Sequence, residues 1–535
     1  MAVSRQSSDD KSVSTNYTVH LLEKLAETGD RDAVVQGRRR ISGRESRSLI
    51  LRFAEALANN GVGEGDGIAL FIANSPEALL LKLAVHFIGA RLVFVPPEPG
   101  NPELEAFIAQ ADVKMLIFDP ALGDRPARMA GAVQVPSVFS LGPCDGVPDF
   151  LDVVGEQTGW GPADAGNGAA VCTLFYTGGT TGRPKLVTHD AGFYQRVIAT
   201  AAIQASKAPD PRLLVCTLIT HMSGHFASLM RLASGAAVVM MHDFDAGAAL
   251  SVLAEQKITE MILVPPMLYE MLDHPDWPPA GFPDVENIFY TGSPTAPSRL
   301  RQAIGKFGPV MHQVYATTEH GMIAELWPGQ HDLSRPHLLE SCGKPVPSVE
   351  VELREGNGQV TGAGQVGEVW ARSGMVTTGY WQDPEASRDL LEDGWARTGD
   401  LAYRDDAGYL YLVDRARDVI VTGPTSGNVY SRLLDDFLSR LPGISQAAAV
   451  GVPDAQWGEA VHGFLVPDGG RRPDLGEIRR LVAEVLGDLY MPKSVSVVAR
   501  LPYTTLDKID KKALRAAYVA EAENGIADDG AGRRG

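Results

Sequence analysis

One short stretch of the chain carries most of the side chains that could do chemistry: Tyr-Thr-Gly-Gly-Thr-Thr-Gly-Arg-Pro-Lys, residues 176–185. It follows an apolar run, residues 169–175, that is typical of a short buried strand. Glycines let backbone N–H groups approach a ligand, and successive N–H groups around a concavity bind phosphate oxygens. The threonine hydroxyls add hydrogen-bond donors, and Arg183 and Lys185 add positive charge. The stretch therefore predicts a phosphate-binding loop, with a polar surface turn as the alternative interpretation.

The stretch differs from a Walker loop and resembles another phosphate-binding signature. A Walker loop places its lysine directly after glycine and ahead of Ser or Thr, whereas Pro184 here separates the two cations. The whole stretch resembles the signature loop of the adenylate-forming enzymes, which comprise acyl- and aryl-CoA synthetases, adenylation domains of peptide synthetases and luciferase-like enzymes. Gly178 stands where that signature usually has serine. The resemblance implies that ATP is bound by the loop residues Thr177, Gly178, Gly179, Thr180, Thr181, Gly182 and Lys185.

A second stretch, residues 314–321, has the sequence Val-Tyr-Ala-Thr-Thr-Glu-His-Gly and resembles that family's Gly-Tyr-Gly-x-Thr-Glu motif. The resemblance implies that Tyr315 offers a flat face to adenine, that Thr318 donates to a phosphate and that Glu319 binds magnesium. One carboxylate is enough for Mg²⁺, because phosphate oxygens and water complete its shell. Taken alone, the same residues would be interpreted as a strand and turn with a surface glutamate. Valine and alanine replace the family's two glycines, which we expect to narrow the acid pocket.

A third segment, Thr220-His-Met-Ser-Gly224, resembles the aromatic-His-x-x-Gly segment that lines the family's acid pocket. A single histidine beside apolar strands can equally be a packed core residue, so both interpretations of His221 stay open. The Phe-Asp-x-Ser pattern of amino-acid-activating relatives is missing here, and an α-amino acid substrate is therefore not expected. The family register assigns adenine contacts to Gly292 and Ser293, and acid binding to His221, Ser223, Tyr290, Ala316 and His320.

Three positions further along the chain follow the family's order. Asp400 closes the segment Gly-Trp-Ala-Arg-Thr-Gly-Asp, and the resemblance assigns it the ribose hydroxyls. A carboxylate can accept both hydroxyls, as the acidic residue of dinucleotide-binding folds does. Arg415 is assigned a ribose or phosphate contact. Arg417 occupies the family's hinge position between a large and a small domain.

The C-terminal part carries the last motif and the largest departure from the family pattern. Residues 501–511 resemble Leu-Pro-x-Thr-x-x-Gly-Lys-Ile-Asp-Lys, so Lys508 takes the catalytic position, with Asp507 where glycine is usual. As a bare motif, a lysine in such a segment is usually just solvated. The stretch Gly423–Asn428 is longer than the corresponding turn of the family, which helps to form a thiol channel. That departure leaves the use of CoA open.

Length and composition bound the classes of function. A chain of 535 residues exceeds the usual size of one core, so two or more domains are expected. The net charge of −18 argues against a nucleic-acid partner. Four scattered cysteines without a CxxC pair, and no signal-peptide pattern, predict reduced thiols in a cytoplasmic protein. No apolar stretch is long enough to span a membrane, and the spacing of His312, His320 and His331 predicts no metal site.

Alternation of helical patterns with short apolar runs between residues 18 and 119 predicts a parallel sheet with crossover helices. The pattern places helices at residues 46–60, 76–89 and 103–111, strands at 67–73, 90–95 and 114–118, and a surface segment at 120–168. The predicted fold class is α/β, with a large N-terminal adenylating domain of mixed sheets flanked by helices and a small mobile α+β C-terminal domain. The predicted divisions are a disordered arm (1–16), an ATP- and acid-binding domain (17–415), a small domain carrying the catalytic lysine (416–522) and a disordered tail (523–535).

These observations predict a ligase that uses ATP and Mg²⁺ to adenylate a small-molecule acid and then makes a CoA thioester. Three alternatives stay open. The acyl group could instead pass to a carrier protein or an amine, or the enzyme could activate a non-carboxylate oxyanion such as nitrite. A nucleotide-binding protein without catalysis is the third, and the presence of both Lys508 and Glu319 weighs against it. The sequence fixes neither the acid, the acceptor nor the oligomeric state.

Overall fold

The structure is a computed structural model that describes residues 16–95, 104–167, 171–177, 185–203, 206–423, 427–469, 474–503 and 509–523. Within these ranges no helix is long and apolar enough to cross a membrane. The described residues form four β-sheets. The first two are large and built mainly from parallel strands, and the last two are smaller.

The first part of the chain alternates helices with short strands. In order, it contains α1 (Tyr17–Thr28), β1 (Asp32–Gln36), β2 (Arg39–Ser42), α2 (Gly43–Asn59), β3 (Gly67–Phe71), α3 (Pro76–Phe87), β4 (Arg91–Phe94), α4 (Leu104–Gln110), β5 (Val113–Phe118), α5 (Arg125–Ala132) and β6 (Ser137–Ser140).

The predicted helices and strands of this part are confirmed within a few residues at each end. α2 begins earlier than predicted because the Ser42 hydroxyl and the Glu45 carboxylate form a capping box at its start. The predicted N-terminal arm ends one residue too late, since Asn16 is buried and caps α1. The assignment of residues 120–168 to the surface is partly wrong. That segment contains α5 and β6, and Phe150 within it is fully buried in the core.

The middle of the chain continues the same alternation. It contains β7 (Thr173–Thr177), β8 (Lys185–His189), α6 (Ala191–Ile203), β9 (Arg212–Val215), α7 (Met222–Ala233), β10 (Ala237–Met240), α8 (Ala246–Glu255), β11 (Glu260–Leu263), α9 (Pro265–Asp273), β12 (Asn287–Tyr290), α10 (Pro297–Phe307), β13 (Met311–Thr317) and β14 (Gly321–Leu326).

These elements form the two large sheets. The six-stranded sheet has the order β6-β5-β3-β4-β7-β8 and is parallel except for the pair β7–β8. The nine-stranded sheet has the order β15-β14-β13-β12-β11-β9-β10-β1-β2, in which β15 is the short strand Lys344–Pro345, and its antiparallel pairs lie at the two edges. The largest core cluster contains residues from both sheets and from α1, α2, α3 and α7. The predicted parallel sheet with crossover helices is thus confirmed.

Two smaller sheets complete the chain. The first is antiparallel and is built from β16 (Glu350–Arg354), β17 (Gly367–Arg372), β18 (Leu391–Glu392), β19 (Trp395–Arg404) and β20 (Leu410–Arg415), with α11 (Pro384–Leu390) beside it. The second contains β21 (Ile420–Thr422), β22 (Gly427–Val429), β23 (Ile444–Asp454), β24 (Gly458–Pro467) and β25 (Ser494–Val497). It packs with α12 (Ser431–Leu438), α13 (Leu475–Leu486) and α14 (Lys511–Glu523). Its main core cluster lies entirely within residues 420–495.

Candidate active site

The turn between β13 and β14 presents Thr318 and Glu319 at the carboxyl end of a parallel strand. Thr317 and Gly321 are the last cross-strand partners, and Gly321 has a φ of 66°, which favours glycine. His189, at the end of β8, donates through Nε2 to the Thr318 carbonyl at 2.8 Å. The Glu319 carbonyl accepts from the backbone of residue 377 at 2.7 Å. Both large sheets therefore contribute to fixing this turn.

The Glu319 side chain belongs to a cluster that also contains Tyr380 and Lys185. The Tyr380 hydroxyl donates to Glu319 Oε1 at 3.0 Å, and Lys185 Nζ lies 4.7 Å from the centre of the Tyr380 ring. Burial, followed by the adjacent Glu319 charge, raises the pKa of Tyr380, so the phenol remains a hydrogen-bond donor. All three residues are half-buried, so the carboxylate of Glu319 and the ammonium of Lys185 belong to residues that are partly exposed to solvent.

The phosphate-loop prediction falls between two described strand ends. β7 ends at Thr177 and β8 begins at Lys185, and these two residues are cross-strand partners. The predicted contacts at Gly178, Gly179, Thr180, Thr181 and Gly182 lie outside the described residues. The two strands hold Lys185 beside Tyr380, and thereby bring the end of the loop to the Glu319 turn.

A second cluster joins Asp400, Arg415 and Tyr315. Asp400 and Arg415 are cross-strand partners in β19 and β20, and Arg415 Nε lies 2.5 Å from Asp400 Oδ1. The Tyr315 hydroxyl donates to the other carboxylate oxygen, Oδ2, at 2.6 Å. Asp400 is buried, and its two oxygens are held in a fixed orientation. Tyr315 lies on β13, four residues before Glu319 in the turn that follows this strand. This cluster and the Glu319 cluster therefore occupy the same end of the sheet.

The segment that follows β12 lies beside this strand. The Thr291 hydroxyl donates to the Val314 carbonyl at 2.9 Å, which ties the segment to β13. Gly292 has a φ of 91°, a conformation that side chains rarely adopt, and it is exposed. Ser293 is half-buried. The backbone of these two residues is therefore accessible next to the strand that carries Tyr315.

The start of α7 places His221 at the helix N-cap, where close packing requires glycine one turn later. A Cβ on Gly224 would lie 2.3 Å from the Leu218 carbonyl oxygen, so no side chain fits at that position. Burial lowers the pKa of His221 to about 4, and its imidazole is neutral at physiological pH. Ser223 and Ala316 are half-buried, as expected of residues at the wall of a site.

Comparison with known proteins agrees with this geometry. A profile described as "AMP-binding enzyme" matches residues 21–381, and a second, "AMP-binding enzyme C-terminal domain", matches residues 434–508. The first match alone spans well over half of the chain. The chain belongs to the AMP-binding enzyme family.

Relatives from this family cover nearly the whole chain. The medium/long-chain-fatty-acid–CoA ligase FadD8 of Mycobacterium tuberculosis is 33% identical over 530 residues, which are 94% of this chain and 90% of that protein. The amide bond synthetase McbA of Marinactinospora thermotolerans is 33% identical, has a TM-score of 0.85, and matches 94% of this chain and 99% of its own. ATP-bound MatB of Rhodopseudomonas palustris is 26% identical, with a TM-score of 0.84 and the same two coverages.

These matches confirm the predictions of an adenylate-forming, AMP-forming ligase and of its two-part α/β fold. The structure of this AMP-binding enzyme also separates the predicted site residues into groups. It brings together Thr318, Glu319 and Lys185, and it brings together Tyr315, Asp400 and Arg415. Lys508 lies outside the described residues. Arg417, the predicted hinge residue, is half-exposed in the short segment between β20 and β21.

Two of the predicted acid-binding residues have their polar atoms engaged in the core. The Tyr290 hydroxyl donates to His331 Nε2 at 2.8 Å, and the side chain is buried in the cluster beneath α9 and α10. His320 donates through Nε2 to the Ala396 carbonyl at 3.1 Å and accepts at Nδ1 from the Thr317 hydroxyl at 2.7 Å. The hydrogen-bonding groups of both side chains therefore have protein partners, and acid binding by these two residues stays a prediction.

Two residues of the site were not predicted from the sequence. Tyr380 is 61 residues from Glu319 and lies in a segment without a recognised motif. His189 follows the phosphate loop closely, but only its contact with the Thr318 carbonyl gives it a role. The Gly-Tyr-Trp sequence at residues 379–381 was the one available signal for Tyr380, because it joins a flexible backbone position to two aromatic side chains.

Proposed function

We propose that this AMP-binding enzyme joins a carboxylic acid to the α-phosphate of ATP, releases pyrophosphate, and then transfers the acyl group to a thiol or amine. This proposal is supported by one observation: two clusters of charged side chains lie at the carboxyl end of β13. One offers the Lys185 ammonium beside the Glu319 carboxylate, and the other offers the oriented Asp400 carboxylate. A nucleoside triphosphate suits both clusters, since its neutral ribose hydroxyls can donate hydrogen bonds to a carboxylate and its anionic phosphates bind cations.

In this proposal the nucleotide lies along β13. Asp400 accepts hydrogen bonds from the ribose hydroxyls, and Tyr315 and Arg415 hold its carboxylate in place. The backbone at Gly292 and Ser293 borders adenine. Lys185, Thr177 and the loop residues between them bind the phosphates. The bound state of MatB, a relative that shares this fold, supports the use of ATP.

The Glu319 carboxylate suits a magnesium ion, which prefers one or two carboxylates together with phosphate oxygens. The Tyr380 hydroxyl orients this carboxylate through Oε1. Such an ion would neutralise charge on the departing pyrophosphate. Among the described residues no group of three or more Asp, Glu, His or Cys side chains is placed to hold a metal, so phosphate oxygens would supply much of the shell.

The reaction brings two anions together, so positioning and charge neutralisation do most of the catalytic work. The acid carboxylate attacks the α-phosphorus, the bond to the bridging oxygen breaks, and pyrophosphate leaves. We assign Lys508 to the acid oxygen and the α-phosphate in this step. A neutral His221, with Ser223 and Ala316, borders the acid without adding charge to its anion.

We place the boundary between the large and the small domain at residues 415–417, next to the ion pair between Arg415 and Asp400. The Asp414 carboxylate accepts hydrogen bonds from the Ser431 backbone and hydroxyl, and Asp418 pairs with Arg515 at 3.2 Å. The Asp418–Arg515 pair lies wholly within the small domain, whereas the hydrogen bonds between Ser431 and Asp414 cross the hinge and would break on rotation. Rotation at Arg417 would carry α14, and with it the preceding Lys508, as one unit.

The acceptor of the acyl group is CoA or an amine. FadD8 is a CoA ligase and McbA an amide bond synthetase, and both are 33% identical to this chain. The turn between β21 and β22 also departs from the family's thiol-channel pattern. Gly423 and Gly427, which flank this turn, both pack against Leu489. The match to McbA and the departure at this turn support amide formation as the second candidate, beside CoA thioester formation.

Pyrophosphate release with ATP and Mg²⁺ tests the first step across a panel of aliphatic and aromatic acids. We expect release that depends on the acid and is lost in Asp400→Asn, whose side chain keeps its size. Mass spectrometry of reactions supplied with CoA or with a primary amine then identifies the acceptor. ATP consumption that is unaffected by any acid would contradict the proposal.

A further inference from the structure

Strand β8 is the edge strand of the six-stranded sheet and begins at Lys185. Its outer edge pairs with residues 379–381 through backbone hydrogen bonds of 2.8 Å and 3.1 Å. Val187 lies opposite Tyr380 in this antiparallel pairing. Tyr380 is the residue whose hydroxyl orients the Glu319 carboxylate. β8 therefore fixes the position of Tyr380 relative to Lys185.

The backbone of Glu319 is held on both sides. His189, the last residue of β8, donates through Nε2 to the Thr318 carbonyl at 2.8 Å. The Glu319 carbonyl accepts from the Thr377 backbone N–H at 2.7 Å, and the Thr377 hydroxyl donates to the Thr188 carbonyl at 2.6 Å. Each of the two carbonyls fixes the plane of one peptide unit, and a residue has only two soft backbone torsions between its flanking planes. Two hydrogen bonds that lead back to β8 therefore set the direction of the Glu319 side chain.

The tautomer of the His189 ring follows from its hydrogen-bond partner. The Thr318 carbonyl can only accept, so Nε2 carries the hydrogen. Burial lowers the pKa of His189 to about 4, and the ring is therefore neutral near pH 7, with no hydrogen on Nδ1. Nδ1 is buried and has no hydrogen-bond partner among the residues that the structure describes. A buried acceptor in this state costs free energy on folding.

A hydrocarbon ring at position 189 would avoid this cost. The His189 ring packs against Phe193, with ring centres 3.9 Å apart, and against Phe175 at 5.8 Å. These surroundings suit phenylalanine as well as histidine. The N–H donor to Thr318 is what histidine adds. A side chain that costs stability, and that holds the backbone beside a proposed metal ligand, is typical of a functional position.

We propose that His189 is a positioning residue for adenylation: its Nε2–H holds the peptide unit between Thr318 and Glu319, and thereby directs the Glu319 carboxylate. This inference rests on the proposed function, in which Glu319 binds Mg²⁺. The competing explanation is that His189 only packs the core. That explanation predicts a change in folding without a change in the use of magnesium.

His189→Phe removes the donor and keeps a ring of similar size. We expect this variant to release pyrophosphate about 10 to 100 times more slowly than wild type, because a small misplacement of a charged group at the reacting phosphates suffices for such a loss. The Mg²⁺ concentration needed for half-maximal rate should rise several-fold. The urea unfolding midpoint should equal or exceed that of wild type, since the unpartnered Nδ1 is removed.

A rescue variant and a matched control accompany this substitution. His189→Gln should recover part of the rate and of the magnesium response, because its side-chain amide places an N–H donor close to the position of Nε2. His462→Phe is the control, since His462 is also a buried neutral imidazole but lies on β24 beside Phe464 and Tyr518. It should leave the magnesium dependence unchanged.

A second variant loosens the other hydrogen bond to the Glu319 backbone. Thr377→Val keeps the N–H that the Glu319 carbonyl accepts, but it loses the hydroxyl that ties this segment to β8. We expect a several-fold fall in rate, again with a raised magnesium requirement. This variant tests the same positioning if His189→Phe does not fold, and a wild-type magnesium dependence would then count against the proposal.

The outcomes separate this inference from the proposed function. Wild-type magnesium dependence in His189→Phe, or a His189→Gln variant no better than His189→Phe, would overturn the positioning role alone. If wild type releases no pyrophosphate with any acid, the proposed function fails. Calorimetric titration with ATP and Mg²⁺ then still tests His189. The Phe variant should bind more weakly than wild type and the Gln variant should lie between them, whereas equal affinities would overturn the inference.

Discussion

At the scale of single residues, the Tyr380 hydroxyl orients the Glu319 carboxylate, which we propose binds magnesium. Tyr380 approaches from a distant segment and holds one carboxylate oxygen at 3.0 Å. Its own ring also lies under the Lys185 ammonium. Tyr380 therefore contacts both the Glu319 carboxylate and the Lys185 ammonium.

Removal of the Tyr380 hydroxyl should impair adenylation without loss of the fold. We expect Tyr380→Phe to lower the rate of pyrophosphate release by about tenfold and to raise the Mg²⁺ concentration needed for half-maximal rate, since one hydrogen bond to a charged group is lost. Glu319→Gln should lose far more activity. A magnesium titration of both variants measures the effects. Unchanged magnesium dependence in Glu319→Gln would remove the metal assignment.

Lys508 should act in the first half-reaction and not in the second. Loss of a preorganised donor at a developing charge lowers the rate by about 10²–10³, and we expect at least this loss of adenylate formation in Lys508→Ala. The same variant, given a synthetic acyl-adenylate, should transfer the acyl group at close to the wild-type rate. Equal losses in both half-reactions would indicate a structural role and exclude domain alternation.

At the scale of elements, the start of α7 depends on one close contact. The Gly224 Cα faces the Leu218 and Thr217 carbonyls, and an added Cβ would lie 2.3 Å and 2.9 Å from their oxygens. The helix can therefore approach the end of β9 only because residue 224 is glycine. This approach also sets the positions of His221 and His225.

Gly224→Ala should displace α7 and with it the acid-binding wall. We expect a loss of about 1–3 kcal/mol in the free energy of unfolding, since overpacking against backbone cannot be relieved by a rotamer change. The KM for the acid should rise more than the KM for ATP. Gly305→Ala in α10, where an added Cβ has open space, is the matched control. Equal effects of the two substitutions would contradict the packing argument.

The C-terminal helix α14 is anchored by a small polar network. Lys511 pairs with Asp435 at 2.5 Å and donates to the Ser431 hydroxyl at 2.6 Å, while Ser431 donates to Asp414 at 2.9 Å. The network links β20, α12 and α14. Lys511 lies three residues after Lys508, so the network fixes the chain next to the lysine that we propose is catalytic.

Loss of this anchor should reduce adenylation through the placement of Lys508. We expect Lys511→Met to lower the rate of adenylate formation several-fold, while transfer from a synthetic adenylate changes less. Lys512→Met alters the neighbouring exposed lysine and should leave both rates near wild type. Separate assays of the two half-reactions give the comparison, and similar losses in both variants would argue against an anchoring role.

At the scale of the whole molecule, buried neutral histidines dominate the response of stability to acid. Burial lowers the pKa of several imidazoles from their usual value: to about 3 for His86 and to about 4 for His189, His221, His331 and His462. Asp435 has the opposite effect, because burial raises its pKa to about 6 despite the favourable Lys511 charge.

Stability should therefore fall as the pH is lowered from about 6.5 to about 4. In that pH range these histidines are protonated in the unfolded chain but stay neutral in the folded protein. Lowering the pH therefore favours unfolding. Burial raises the pKa of two carboxyls, Asp435 and Glu260, and these offset only two of the histidines. Urea unfolding at a series of pH values measures the slope. His462→Phe should make it shallower by about one proton, and a flat profile in wild type would contradict the assignment of neutral buried imidazoles.

The sequence by itself determined the family, the order of the motifs and most of the elements around the site. The Gly- and Thr-rich residues before Lys185, and the Thr-Glu pair at residues 318 and 319, predict their chemistry through their resemblance to family motifs, since each stretch alone also fits a surface turn. Periodicity likewise located α2, α3, β3 and β4, since local burial patterns depend on neighbours in sequence.

Only the tertiary structure decided which side chains meet. Tyr380 reaches Glu319 across 61 residues, and Tyr315 reaches Asp400 across 85. Tyr290 and His320 lie in motifs that suggested acid binding, yet their polar groups form hydrogen bonds to His331 and to the Ala396 carbonyl. The buried, hydrogen-bonded side chains of Tyr17, His86, Thr173, Tyr194 and His225 belong to five different elements, and no pattern in the sequence links them. Such contacts depend on how strands and helices pack, and sequence neighbours carry no information about which distant residue lies across a sheet.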